Sequence, residues 1–126
     1  MIVGTGVDII EVKRIKKAVD LWGEKFSKRV FTQKELDYAE KKKFPHQTLA
    51  ARFACKESVL KAFGDTRVGI RLRNIEILND PKGKPEVVLH KEAKEFARIN
   101  DLDNIIISVS HTRDYAVSNA ILWKNS

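Results

Sequence analysis

Residues 44–64, "FPHQTLAARFACKESVLKAFG", constrain the fold of this chain more than any other stretch. Pro45 near the start and Gly64 just past the end are the punctuation of a helix that begins and stops there. Apolar residues fall on most sides of that helix, so it demands burial on most sides. A chain of 126 residues offers one modest core for the purpose, and a single domain over 1–126 follows. Yet the same helix carries Lys56, Glu57, Ser58 and Lys61. Either these polar groups form a solvated stripe, or the helix delivers them to a pocket.

The elements around it predict an α+β domain in which a mainly antiparallel sheet packs against the long central helix. "MIVGTGVDII" reads as a strand, rich in β-branched residues with alternating glycines. In "EVKRIKKAVDLWG", Val12, Ile15, Val19 and Trp22 form one stripe of an amphipathic helix that ends at Gly23, with Lys13, Arg14 and Lys17 on the opposite face. A short helix over "EKFSKRVF" follows. Thr32 and Glu35 then open "TQKELDYAEKKK" with a capping-box pattern. Beyond the central helix, "IRLRNIEILND" and "EVVLH" read as strands joined by the turn "DPKGKP". "KEAKEFARIN" is an amphipathic helix, and "NIIISVSH" and "YAVSNAILW" pair around a tight "TRD" connection. The "KGK" of residues 82–84 is a turn, since it has neither P-loop nor G-x-G-x-x-G spacing.

Composition excludes several classes. Apolar residues at 43% and charged residues at 33% describe a globular chain, not a disordered one. No apolar run approaches the roughly 20 residues needed to span a bilayer, and the N-terminus has no basic n-region or cleavage site of a secretory signal. The single cysteine, Cys55, lies inside the apolar helix and reads as a core residue in a reducing cytoplasm. Six of the seven net positive charges fall within residues 13–43, where 11 Lys/Arg face 5 Asp/Glu. Such a region attracts an acidic partner: nucleic acid, a membrane surface, a phosphorylated small molecule or an acidic protein.

Three places carry candidate chemistry. In an extended segment Ile2, Gly4, Gly6, Asp8 and Ile10 share a face. A carboxylate buried there needs a partner or a metal, and the glycines leave room for a ligand to approach the backbone. Asp8 with Glu11 also fits an N-cap and its reciprocal partner, which the pattern alone favours. Glu57 and Lys61 stand at i and i+4. They form either a surface ion pair or, if Glu57 converges with Asp8, a site for a hard cation such as Mg²⁺ with a lysine nearby for a phosphate. His111 closes the strand "NIIISVSH" on the face of Ile105, Ile107 and Val109. It is either structural or, with Thr112, a hydrogen-bond donor to phosphate.

Three segments in this order, "GTGVDIIEVKRI", "ARFACKESVLKAFG" and "SVSHTRDYAV", resemble the holo-acyl-carrier-protein synthases, small 4′-phosphopantetheinyl transferases. The resemblance covers nearly the whole chain, and its pattern F-A-x-K-E-x-x-x-K-A is specific. It implies a cytoplasmic, Mg²⁺-dependent enzyme of fatty acid biosynthesis, with this family's fold and a homotrimer bearing active sites at subunit interfaces. The reaction implied moves 4′-phosphopantetheine from coenzyme A to a serine of acyl carrier protein and releases adenosine 3′,5′-bisphosphate. Asp8 and Glu57 fall on the metal positions and Lys61 on the phosphate-contacting lysine. Glu57, acting through a metal-bound water, is the candidate base for the serine proton. Arg52 (supplied by a neighbouring subunit), Lys43, His111 and Thr112 fall on coenzyme-binding positions. Lys13, Arg14 and Lys17 face the acidic carrier protein. The competing reading is a small basic nucleic-acid-binding module. It accounts for the charge but gives Asp8, Glu57 and His111 no joint purpose, and no partner nucleic acid is expected. A non-catalytic scaffold, the third reading, reduces each motif to capping or surface pairing.

Overall fold

A computed structural model describes residues 1–64 and 69–125. The chain runs β1 (Ile2–Glu11), α1 (Val12–Trp22), α2 (Glu24–Val30), α3 (Gln33–Glu40), α4 (Pro45–Ala62), a 3-10 turn at Leu72–Asn74, β2 (Ile75–Asn79), β3 (Pro85–Leu89), α5 (Lys91–Ile99), β4 (Asn104–His111) and β5 (Tyr115–Trp123). Among the described residues the strands form two antiparallel sheets, one ordered β1-β5-β4 and one pairing β2 with β3. The fold is the α+β arrangement expected.

Helix α4 separates two halves of the core, which is why it is apolar nearly all round. Its first half meets Ile15, Val30 and Ala39 from the helices before it and Phe31 from the turn after α2. Its second half places Cys55, Val59 and Ala62 against Ile75, Ile77, Ile107 and Ala120. The strands alternate as half-buried strands must. Ala116, Ser118, Ala120 and Leu122 of β5 turn inward, while Tyr115, Val117 and Trp123 stay exposed on the other face. Val7 and Ile9 of β1 and Ile106 of β4 are exposed as well, so the sheet carries an uncovered apolar outer face.

The glycines of β1 serve the helix, not a ligand. A Cβ at Gly6 would lie 2.0 Å from the Ser58 carbonyl oxygen and 2.7 Å from the Ala62 nitrogen, and one at Gly4 would lie 2.5 Å from the Ala62 oxygen. Backbone meets backbone here, and the space reserved by the missing side chains is filled by α4. Gly6→Ala must therefore push α4 off the strand. We expect a loss of about 3 kcal/mol of stability in chemical denaturation, the upper range for overpacking. Stability equal to that of the parent chain would mean that Gly6 does not set this spacing.

Other expectations also change. Asp8 is not a cap. Strand β1 continues to Glu11, pairing with Tyr115, and Glu11 is the N-cap of α1 without a side-chain capping bond. Trp22 leaves the α1 stripe and is 59% exposed. The strand read from residue 70 begins only at Ile75, because the preceding backbone turns to serve Lys56. This lysine is wholly buried, 2.7 Å from the equally buried Glu35, and donates to the carbonyls of Leu72 (3.1 Å) and Ile75 (2.8 Å). A buried ammonium needs such acceptors, and carbonyls aimed at it are withdrawn from a ladder. The capping box at Thr32 and Glu35 is present as expected.

Candidate active site

Helix α4 presents charged side chains in two directions. Towards β1, Glu57 and Lys61 face Asp8 across the close approach that Gly4 and Gly6 permit. The three share a cavity of about 400 Å³ with Arg14 of α1, Phe26 of α2 and Phe53. The Lys61 ammonium lies 2.9 Å from Asp8 Oδ1 and donates to the Val7 carbonyl at 3.2 Å. The lysine thus reaches across to the strand. Asp8, with 14% of its side chain exposed, has the charged partner that a carboxylate on an inner sheet face requires.

Towards α3 and β2, the same helix presents Arg52. It lies in a separate cavity of about 350 Å³ with Lys42, Lys43, His111, Tyr38 and Asn79. The Arg52 guanidinium stacks over the Tyr38 ring at 4.5 Å, and its Nη2 donates to the Asn79 side-chain oxygen. Its Nε is buried with no hydrogen-bond partner among the described residues. His111 reaches this cavity from the end of β4, on the face of Val109. Thr112 lies in the β4–β5 turn, where its hydroxyl accepts from the Asp114 and Tyr115 amides. Lys13 is exposed beside Glu11 at 3.2 Å, and Lys17 is exposed on α1.

The candidate residues therefore meet in two groups, one built on paired carboxylates and one on gathered cations. Among the described residues no three or more His, Cys, Asp or Glu side chains converge. Two carboxylates suffice for Mg²⁺, which fills its other positions with water and phosphate oxygens. Tyr38, Lys42, Asn79 and Phe26 were not singled out from the sequence. Their places depend on how α2, α3 and β2 dock, which no local spacing encodes.

Residues 4–120 match the 4′-phosphopantetheinyl transferase superfamily. The chain belongs to that superfamily. Among relatives of this transferase, a holo-[acyl-carrier-protein] synthase of Clostridium tetani is 44% identical over 122 residues, covering 97% of this chain and 96% of its own. Another, from Ruminiclostridium cellulolyticum, is 49% identical over 120 residues, covering 93% and 89%. The crystal structure of a holo-[acyl-carrier-protein] synthase from Neisseria meningitidis superposes with a TM-score of 0.88 at 33% identity, covering 98% of this chain and all of that one. One from Helicobacter pylori, solved in complex with coenzyme A, gives 0.80 at 28% identity, covering 94% and 99%. The transferase is thus similar to these proteins from end to end.

Proposed function

We propose that this transferase moves 4′-phosphopantetheine from coenzyme A to a serine of acyl carrier protein, with Mg²⁺ held by Asp8 and Glu57. The observation that carries the reading is the shared cavity of Asp8, Glu57 and Lys61, brought together from β1 and α4. The donor set is hard oxygen, two carboxylates with open space beside them, as Mg²⁺ with a diphosphate prefers. When bound, Mg²⁺ offsets negative charge on the diphosphate oxygens.

The chain's own residues supply the rest. The serine oxygen attacks the phosphorus that bears the pantetheine, and the bond from that phosphorus to the bridging oxygen breaks, releasing adenosine 3′,5′-bisphosphate. Lys61 stabilises charge growing on the leaving phosphate, and Glu57 is the group proposed to accept the serine proton. Arg52, Lys43 and His111 bind the coenzyme's phosphates. Thr112 contributes by holding the turn beside His111.

The two cavities, and the apolar outer face of the sheet, support a homotrimer in which Arg52 of one subunit serves the carboxylate cavity of the next. Lys13, Arg14 and Lys17 steer the acidic carrier protein, with Arg14 at the rim of the carboxylate cavity. The setting proposed is the cytoplasm, in support of fatty acid biosynthesis. Its support is a buried free thiol at Cys55. Among the described residues no helix is long and apolar enough to cross a membrane.

The test uses the purified chain with coenzyme A, MgCl₂ and an apo acyl carrier protein. The carrier should gain the mass of one phosphopantetheine, chelation with EDTA should stop the gain, and coenzyme A with Mg²⁺ should raise the melting temperature by mass action. No transfer, together with a rise produced by duplex DNA and not by coenzyme A, would reverse the reading in favour of a nucleic-acid-binding module.

A further inference from the structure

The cationic cavity poses an electrostatic problem of its own. Arg52, only 6% exposed, shares it with Lys42, Lys43 and His111. Like charges gathered in a part-buried space repel one another, and flexible lysines are free to swing away into water. Tyr38 answers part of this. The Arg52 guanidinium carbon lies 4.5 Å from the ring centroid and the Lys42 ammonium 4.6 Å from it. The negative face of an aromatic ring attracts cations at these distances, so one side chain gathers two positive groups. Asn79 takes one guanidinium nitrogen, which leaves Arg52 Nε buried and without a partner among the described residues.

The ring is itself fixed in place. Tyr38 lies one turn along α3 from Glu35, and Glu35 is tied to Lys56 of α4 by the fully buried ion pair. Lys56 lies one turn along α4 from Arg52. The two helices therefore meet at two rungs, Glu35 with Lys56 and Tyr38 with Arg52, and the first sets the height of the second.

We propose that Tyr38 is a positioning residue whose ring holds Arg52 and Lys42 in this cavity, so that a polyanionic ligand meets a cationic site already assembled. The inference rests on the reading that Arg52 contacts coenzyme A. Its consequence is a preorganised site, where less binding energy is spent on collecting flexible cations.

Calorimetric titration with coenzyme A and with adenosine 3′,5′-bisphosphate, on the whole chain in MgCl₂, tests it. Tyr38→Leu should weaken both ligands about tenfold and raise KM for coenzyme A in step, leaving kcat within about twofold, while Tyr38→Phe keeps the ring and stays within about twofold throughout. If the melting curve shows that Tyr38→Leu does not fold, Tyr38→Gln replaces it with the same expectation. Unchanged affinity without the ring overturns the proposal, as does a Tyr38→Phe defect as large as that of Tyr38→Leu. Arg52→Gln separates the two levels. If it weakens binding while Tyr38→Leu does not, only the role of Tyr38 fails. If it leaves binding intact, the reading of Arg52 as a coenzyme contact fails, and this inference with it.

Discussion

Asp8→Asn should lower the rate of phosphopantetheine transfer about a thousandfold, the scale on which removing one preorganised electrostatic contact slows a reaction, while leaving the fold intact. The substitution keeps shape and removes charge. In the proposed site it takes away half of the carboxylate pair that would hold Mg²⁺, together with the anion that Lys61 faces at 2.9 Å. The structural cost is small, because asparagine removes the charge that needed a partner at this 14%-exposed position, and the 43%-exposed Lys61 side chain keeps the Val7 carbonyl and can turn to water. Circular dichroism and the melting temperature should therefore hardly move. Glu57→Gln should behave alike, and its residual activity should need more MgCl₂ to saturate, a signature that simple misfolding does not produce. Full activity in either variant would sink the metal role of the pair.

Much of the fold is legible because its elements carry their own punctuation. Pro45 and Gly64 bracket α4, the Thr32–Glu35 pattern opens α3 as a capping box, and the "TRD" turn joins β4 to β5. These signals are local. What could not be read locally depends on contacts between distant segments. Asp8 and Glu11 satisfy a capping pattern equally well, and only the pairing of β1 with β5 as far as Glu11–Tyr115 turns Asp8 inward to the helix. Gly4 and Gly6 announce a close approach, but nothing nearby in sequence says that the approaching group is the backbone of α4. The strand expected from residue 70 is interrupted by the acceptor needs of Lys56, which takes the Leu72 carbonyl.

The candidate site divides the same way. The three ordered motifs carry the family resemblance, and Asp8, Glu57 and Lys61 do converge. Arg52 does not join them, for a reason written into helix geometry: at 3.6 residues per turn, side chains five positions apart point about 140° apart. One rigid helix therefore serves two cavities. Under the proposed reading the interface between subunits is a consequence of that divergence, since the cations of one chain can meet the carboxylates only of another. Of the companions of Arg52, Lys43 and His111 follow from the family resemblance, whereas Tyr38, Lys42 and Asn79 carry no local signal. Tyr38 and Asn79 matter through the docking of α3 and β2, and a tyrosine in a helix carries no mark of what it will stack upon.

Lys56→Met should destabilise the chain by about 4 kcal/mol, within the range for removing one partner of a buried ion pair. Lys56 and Glu35 are both fully buried at 2.7 Å, and methionine fills the stem's volume while leaving the Glu35 carboxylate without its counterion. Burial pushes the Lys56 amine below its ordinary range, and the Glu35 carboxylate opposes that shift. Glu35 retains the Ile77 amide at 3.0 Å and the Thr32 amide at 2.8 Å, which soften the loss without cancelling a charge. The pair also anchors a wider network: Thr32 donates to Glu76, whose other oxygen lies 2.9 Å from His90 Nε2. Burial alone would raise the Glu76 carboxyl; the bonds from Thr32 and His90 outweigh it and hold it below its ordinary value. That contribution to stability is present above the unfolded value and fades as pH falls through the lower folded one. Glu35→Gln should also destabilise, since the amide oxygen can still accept from Lys56 but the amide nitrogen cannot accept from the Ile77 amide, and the ammonium loses its counterion. The double variant Glu35→Gln with Lys56→Met, with neither charge of the pair left, should recover part of the Lys56→Met loss. Denaturation midpoints of all four proteins close the cycle. Strictly additive losses would mean that the two residues act separately, and that the ion pair does not hold α3 on α4.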